Sequence, residues 1–394
     1  MIILDYLISA IWLSPLLYVS VLVLGKIYNL KRRRHVRNEG ARKSIEKIIF
    51  QIPTIGNVQM TNKIFETVKK YNLPVKVETW VVIEEWNKHK DEYVADRIVV
   101  VPSSFECQDL YKSRALEYAR RLRQKMVADG SLNLNYMLFQ GDDDALPSKE
   151  FIQEGLTVDA DIMIGTIAPK ANGVWSTIID YERCVACGLY CNFFTNIEEP
   201  IWAHGEGTAM TSKVDQSVSY DLTDVAAEAK VKLISSEDLF YFQKASTMGF
   251  TTFNSEKRIF IIPPLTFKDA VIQRRRWMWG QLRILRFKLL PLRNRLRLGV
   301  FGYSGLWLYT LSTLGVPLKY MGVVNIPEII LPFTWLTLIL WFGIRAYTIG
   351  QIMGWKHALA GVLASYVTVT LNFILQVVGF VKGDPKKFEV IRKE

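Results

Sequence analysis

The chain has 394 residues, half of them hydrophobic and 12% aromatic, with a formal net charge of +11. That content excludes a disordered chain and suits a membrane protein. The basic residues gather at Lys26–Lys43 and Arg274–Arg297, each beside an apolar run. Such clusters mark cytoplasmic membrane flanks, and no nucleic-acid partner is expected.

In chain order, Tyr6–Gly25 is apolar over about the length of a bilayer span, and Lys26, Lys31, Arg32, Arg33 and Arg34 follow it. No basic residue precedes it and no small-residue cleavage site stands out. Residues 1–25 are therefore expected to be an uncleaved transmembrane anchor with its amino terminus outside, and 26–43 a basic juxtamembrane segment.

Residues 44–264 are expected to form one central domain, and Ser44 to about Gly249 alternates strands and helices. Lys47–Gly56 is a strand candidate ended by Pro53 and Gly56, Thr61–Tyr71 a helix, and Val75–Glu85 a second strand ending in Glu84 and Glu85. Arg97–Val101 is a third strand, followed by a helix over Gln108–Ala128. The alternation predicts a largely parallel sheet covered on both sides, with ligands at the carboxyl ends of its strands. Thr54, Glu84, Lys112, Asp142 and Asp144 fall at or past such ends.

Tyr136–Phe139 reads as a buried strand that runs into Gly141 and then Asp142, Asp143 and Asp144. Alternation lets Asp142 and Asp144 face one pocket while Asp143 faces elsewhere. Two converging carboxylates repel unless a cation sits between them, and Mg²⁺ or Mn²⁺ with a diphosphate is the natural partner. The plainer alternative is a solvated acidic turn, with Asp144 or Ser148 capping the next helix.

Ile162–Ile167 is a further strand, and Trp175–Phe194 an aromatic-rich helix carrying Cys184, Cys187 and Cys191 at helical spacing. No fourth ligand for zinc or an iron–sulfur cluster is evident nearby, so these thiols and Cys107 are expected to be reduced and partly buried. Trp202–Met210 is a glycine-punctuated turn into a short strand. Val231–Ile234 is a strand leading to Ser235-Ser-Glu-Asp238, which opens a helix over Leu239–Met248 with Ser235 or Ser236 as its cap.

Thr266–Leu290 is a basic helix with Ile272, Trp279 and Leu282 on its apolar face, expected to lie along a membrane surface within residues 265–298. Apolar stretches at Gly299–Leu318, Pro327–Ile344 and His357–Phe380 make residues 299–381 a transmembrane region, before a basic tail at 382–394. Three crossings after a cytosolic domain would leave that tail outside, against the positive-inside tendency. Either one stretch is re-entrant or interfacial, or Ala346–Phe380 crosses twice.

Four motifs, in this order, resemble those of the membrane-integrated inverting family 2 glycosyltransferases with a GT-A domain, the group of cellulose, chitin and hyaluronan synthases. Lys112-Ser-Arg-Ala-Leu116 is similar to the K-x-x-A-L segment, and Asp142-Asp-Asp144-Ala-Leu-Pro147 looks like the D-x-D motif. Ser236-Glu-Asp238 looks like T-E-D with Ser for Thr, and Gln273-Arg-Arg-Arg-Trp277 fits Q-x-x-R-W. The resemblance runs from about Lys47 to Trp279. His204-Gly-Glu-Gly and the Arg-Arg-Arg-Trp variant look most like the egghead-type β-1,4-mannosyltransferases, which move mannose from GDP-mannose to a glycolipid. Gln140-Gly141 departs from the family's usual apolar-Asp approach to D-x-D.

The resemblance implies an α/β GT-A (nucleotide-diphospho-sugar transferase) domain in the cytosol, flanked by transmembrane helices and an amphipathic interface helix. It implies a nucleotide-sugar donor, a lipid-linked or glycolipid acceptor at the membrane, and Mn²⁺ or Mg²⁺ as cofactor. Asp144, helped by Asp142, would hold the metal against the charge that develops on the diphosphate leaving group. Asp238, a carboxylate at a helix amino terminus, is the candidate base, and direct attack inverts an α-linked donor to a β-linkage. Thr54, Glu84, Lys112, Asp142, Asp143, Gln273 and Arg276 are candidate donor contacts, with Glu85 competing with Glu84 for the nucleotide base. Trp277, His204, Glu206 and Glu237 are candidate acceptor contacts. Arg274 and Arg275 are expected to face lipid. Two alternatives stand beside this reading. One is a processive synthase that uses a UDP-sugar and translocates its product. The other is a non-catalytic membrane receptor for a nucleotide or polyanion.

Overall fold

The structure, a computed structural model, describes residues 9–10, 13, 16, 19–28, 44–107, 111–170, 174–197, 204–221, 236–288, 290–299, 317–323, 325 and 327–385. Most of the expected anchor and basic segment, the strand at Val231–Ile234, Ser235, most of Gly299–Leu318 and most of the tail lie outside these residues.

Strand β1 (Lys47–Pro53) is followed by helix α1 (Val58–Lys69), β2 (Lys76–Glu84), β3 (Arg97–Val101), α2 (Lys112–Ala128) and β4 (Tyr136–Gly141). Next come β5 (Ala145–Pro147), α3 (Lys149–Gly155), β6 (Ile162–Pro169) and a long helical run. That run comprises α4 (Val174–Val185), a π-helical turn (Ala186–Cys191) and α5 (Asn192–Asn196). Strand β7 (Gly207–Thr211), α6 (Ser212–Ser217), α7 (Glu237–Thr247) and β8 (Thr252–Ile261) complete the sheet region.

The eight strands form one sheet in the order β3-β2-β1-β4-β7-β6-β8-β5. Its two faces are sorted by the period-2 pattern of the strands. Ile48, Phe50, Ile52, Val81, Ile83, Met137 and Phe139 pack with α1 residues Ile64, Phe65 and Val68. The intervening Ile49, Trp80, Val82, Tyr136 and Leu138 pack with Ala115, Leu116 and Ala119 of α2.

The largely parallel sheet expected from sequence is corrected to a mixed one. Strands β3, β2, β1 and β4 are parallel, but β7 runs antiparallel to both β4 and β6. Strand β8, parallel to β6 and antiparallel to β5, was not anticipated. Its polar centre breaks the alternation on which a strand is recognised. Asn254 and Ser255 are buried there, and Asn196 Oδ1 accepts from Asn254 N at 2.8 Å.

Helix α8 (Phe267–Ile284) is capped by Thr266, whose Oγ1 accepts from Asp269 N at 3.1 Å, and α9 (Leu292–Gly299) follows it. On α8, buried Gln273, Arg274 and Arg283 turn into protein beside Val271 and Met278. Trp279 of the expected lipid face donates from Nε1 to Gly379 O at 3.2 Å and stacks on Phe380. Gly379 permits this approach, since a Cβ there would lie 3.0 Å from Arg275 Cα.

Two apolar helices close the described chain, α10 (Leu331–Met353) and α11 (Trp355–Val381). Glu328–Met353 is long and apolar enough to cross a membrane, with a mean hydropathy of 1.7. Helix α11 bends by 61° between Trp355–Ser365 and Val367–Val381, and its halves pass the same test only together. Gly354, at φ +102°, makes the break between α10 and α11 that an L side chain resists. Arg345 of α10 is fully buried, donating to Glu182 at 2.7 Å and to Ser365 Oγ at 3.1 Å.

Candidate active site

At the carboxyl end of β4 the three aspartates meet three environments. Asp142 pairs with Lys112 Nζ. Asp143 accepts from Thr54 Oγ1 at 2.6 Å, and its carbonyl accepts from Asn57 Nδ2 at 3.3 Å. Asp144 is buried. Thr54 and Asp143, expected to touch a donor, thus lock the β1 and β4 loops to each other. The helix after the turn is capped by Ser148, whose Oγ accepts from Phe151 N at 3.3 Å. Asp142 and Asp144 offer only hard oxygen donors, and Asp142 already faces a cationic nitrogen. That donor set fits Mg²⁺ or Mn²⁺.

Lys112 opens α2 and reaches across to α7, where Glu237 lies 3.5 Å from its Nζ. Desolvation works against its charge, but Asp142, Glu237 and Asp238 keep it firmly protonated. Asp238 Oδ2 accepts from Gly205 N and Oδ1 from Leu239 N, both at 2.8 Å. Burial, then the neighbouring Glu237 charge, pushes the Asp238 carboxyl up to about 7; Lys112 opposes and Glu206 adds to the rise. Only a glycine fits at 205 without displacement, since a Cβ would lie 2.7 Å from Lys112 Nζ. Of the two serines expected to cap α7, Ser235 lies outside the described residues and Ser236 is corrected. Ser236 precedes the helix in a left-handed conformation (φ +70°) and makes no side-chain capping bond.

Glu206 forms the next wall. It accepts from Arg183 Nη2 of α4 at 2.6 Å. Burial works to raise its carboxyl, but Arg183, then His204 and Lys112, hold it at about 2. The Arg183 guanidinium lies over the Trp277 ring at 4.8 Å, and that of Arg274 over the same ring at 4.5 Å. Trp277 is therefore packed against the wall of the site. Arg276, one residue back, stands in the combined field of Glu237, Asp142, Glu206 and Asp238. The fold thus gathers residues near 112, 142, 206, 238 and 276 around one polar centre.

Several expected contact residues are engaged by neighbours within the protein. Gln273 Oε1 accepts from Arg274 Nη1 at 2.8 Å. Arg274, expected to face lipid, is buried and donates to Asn372 at 3.0 Å and Asp180 at 3.1 Å. A guanidinium this far from water needs such partners. Arg275 donates to the carbonyls of Gly383 at 2.6 Å and Lys382 at 3.1 Å. Glu84 pairs with Arg114, and Glu85 accepts from Ser103 N at 2.8 Å. His204 was expected at an acceptor pocket, but its Nε2 lies 2.9 Å from Cys187 Sγ and 3.3 Å from Cys191 Sγ. Burial favours the Cys187 thiol, yet the Cys191 hydrogen bond and the imidazole bring it well below its ordinary value. Sequence reasoning missed Arg114 and Arg183. The third residue of the Lys112 motif hinted at the first, and nothing local distinguished the second from other helix arginines.

The mixed sheet and the acidic turn at its centre define a GT-A-like nucleotide-sugar transferase fold. Residues 142–345 match the family model described as Glycosyl transferase family group 2, and the chain belongs to that family. Over 192 residues it is 28% identical to Beta-1,4-mannosyltransferase egh of Drosophila melanogaster. That match covers 45% of this chain and 41% of the relative, so less than half of the relative's length is represented. Mannosyltransferase PcManGT from Pyrobaculum calidifontis, solved with GDP-Man and Mn²⁺, is similar over 94% of this chain and 99% of its own. Identity there is 13% and the TM-score 0.49. Glucosyl-3-phosphoglycerate synthase from Mycobacterium tuberculosis, solved with Mn²⁺, UDP and phosphoglyceric acid, is 11% identical, with 62% of this chain and 80% of that one covered and a TM-score of 0.37.

Proposed function

We infer that the chain is a membrane-bound inverting mannosyltransferase that moves mannose from GDP-mannose to a lipid-linked or glycolipid acceptor through a β-linkage. The observation that carries this reading is the convergence of Asp142, Asp238, Glu206 and Arg276 around Lys112. The mannosyl assignment is supported by the identity to a β-1,4-mannosyltransferase over the segment described above.

A divalent Mg²⁺ or Mn²⁺ held by Asp142 and Asp144 would supply positive charge against the diphosphate leaving group. Arg276, with a planar fork of donors, binds phosphate or sugar oxygens. Lys112 orients Asp142 and Glu237. Asp238 accepts the proton of the attacking acceptor hydroxyl, and its Gly205 and Leu239 hydrogen bonds aim the carboxylate. Glu206, held ionised by Arg183, and Glu237 offer acceptors for sugar hydroxyls. The indole of Trp277, braced by two guanidinium groups, forms the apolar side of the acceptor path.

Membrane attachment is supported by the outer faces of α10 and α11. Phe333, Trp335, Leu336 and Ile339 of one, and Leu359, Leu363 and Val367 of the other, are exposed. Apolar surface of that extent suits lipid.

The test is transfer from labelled GDP-mannose, UDP-glucose and UDP-N-acetylglucosamine with Mn²⁺, on membranes containing the protein or its Asp238→Asn variant, with mass measurement of the product. Mannosylated lipid made only by the parent protein supports the reading. Use of a UDP-sugar alone overturns the mannosyl assignment, and no turnover of any donor overturns the enzymatic one.

A further inference from the structure

Cys187, Cys191 and His204 bring three metal-ligating atoms within 4.8 Å of one another, outside the catalytic carboxylates. The π-helical turn Ala186–Cys191 builds the pair. Such turns add a residue per helical turn and recur at functional sites. Cys187 and Cys191 are both buried within the main core beneath the sheet, whereas Cys184 belongs to the separate cluster with Val19, Leu22 and Trp341. The third atom comes from the loop ahead of β7, where His204 closes over both sulfurs at 2.9 and 3.3 Å from a single nitrogen.

A hydrogen bond does not require that arrangement. One imidazole nitrogen has either one proton or one lone pair, so it fully serves one thiol and not two. Three soft donors set edge to edge instead resemble three corners of a tetrahedron. For zinc–sulfur bonds of about 2.3 Å and zinc–nitrogen bonds of about 2.0 Å, the edges run roughly 3.5–3.8 Å. Opening the observed contacts by roughly half an ångström, within the reach of small side-chain rotations, would admit the ion.

We propose that Cys187, Cys191 and His204 form a second metal site, which takes a thiophilic d¹⁰ ion, zinc, with a non-protein ligand such as water in its fourth position. Softness sorts the two sites. Thiolate and imidazole select zinc here, and the all-oxygen pair Asp142 and Asp144 selects Mg²⁺ or Mn²⁺. Glu206 does not complete the zinc shell, because Arg183 holds its carboxylate at 2.6 Å. The site positions the catalytic loop. His204 is joined directly to Gly205, whose amide holds Asp238. An ion on His204 fixes the start of that loop to the core helix, which makes these three residues positioning residues.

The experiment uses the full chain purified in detergent without chelator. It measures zinc by elemental analysis and the absorption spectrum after replacement by Co²⁺. The expected result is about one zinc per chain and an intense thiolate-to-cobalt charge-transfer band in the near ultraviolet. Zinc and band should be lost in the Cys187→Ala/Cys191→Ala variant and retained in Asp142→Asn/Asp144→Asn. Should the double-cysteine variant fail to fold, the parent protein's cobalt spectrum decides alone, since oxygen-only sites give no such band. Absence of the band after cobalt loading overturns the proposal. So does a zinc content unchanged by removing both cysteines, or one lost only with the aspartates.

Discussion

Gly205 N donates to Asp238 Oδ2 at 2.8 Å, joining the turn before β7 to the first turn of α7 across 33 residues of chain. Leu239 N occupies the other carboxylate oxygen at the same distance. Each oxygen has two lone pairs, so each keeps one for an incoming proton. The bonds fix the direction of Asp238 without consuming its basicity. Asp238→Asn preserves the shape and removes the proposed base. Turnover should fall by about 10²–10⁴-fold, while donor binding, measured by calorimetry with Mn²⁺, stays within a few-fold of the parent.

The same carboxylate sets a pH profile. With the Asp238 carboxyl at about 7, it is protonated and inactive below that pH and competent above it. The rate should therefore rise through neutrality and level off on the alkaline side.

Neighbouring charges should move that acid limb in opposite directions. Glu237 raises the Asp238 carboxyl, so Glu237→Gln should carry the limb to lower pH. Lys112 lowers it, so Lys112→Met should carry the limb to higher pH. Rate profiles of the two variants check the order. Shifts in the same direction would separate Asp238 from the observed limb.

Removing the divalent ion should weaken donor binding before anything else. With a chelator present, binding of the nucleotide sugar should drop at least tenfold and recover with Mn²⁺. Asp144→Asn should raise the Mn²⁺ concentration needed for half-maximal rate. Equal donor affinity with and without metal would remove Asp142 and Asp144 from that role.

A fully buried ion pair lies away from the chemistry. Arg123 and Asp215 are both fully buried and joined by two bonds of 2.7 Å, with Tyr136 Oη donating to Asp215 at 2.6 Å. Arg123→Met strands the Asp215 charge and should cost about 3–5 kcal/mol of stability, read as a lowered midpoint of thermal unfolding.

The parts of the fold legible in the sequence are those where one pattern suffices. Strand β3 was expected over Arg97–Val101 and occurs there, because a short apolar run between polar loops has few other solutions. Strand β8 was hidden by its own polar centre, and the reversal of β7 by the fact that strand direction is set by tertiary neighbours rather than by local composition. At the site, the aspartate run and the Arg-Arg-Arg-Trp segment were visible as unusual local strings. The environment of each member was not. Asp143 turns to Thr54, Gln273 to Arg274 and His204 to two thiols, and each choice depends on partners distant in sequence. The cysteine cluster escaped notice because its third member lies 13 residues beyond Cys191 and because a π turn leaves no clear sequence mark.

The bond between buried Arg345 and Glu182 has a practical corollary. It keys the rotation of the apolar helix α10 to the helix that carries Arg183, so the hydrophobic bundle and the reaction centre form one mechanical body. Cutting the chain ahead of α10 would uncover Glu182 and strip Asn372 from Arg274. A water-soluble fragment ending there would lose the rear support of its own catalytic wall. Biochemical work on this protein therefore belongs on a polypeptide that keeps α10 and α11.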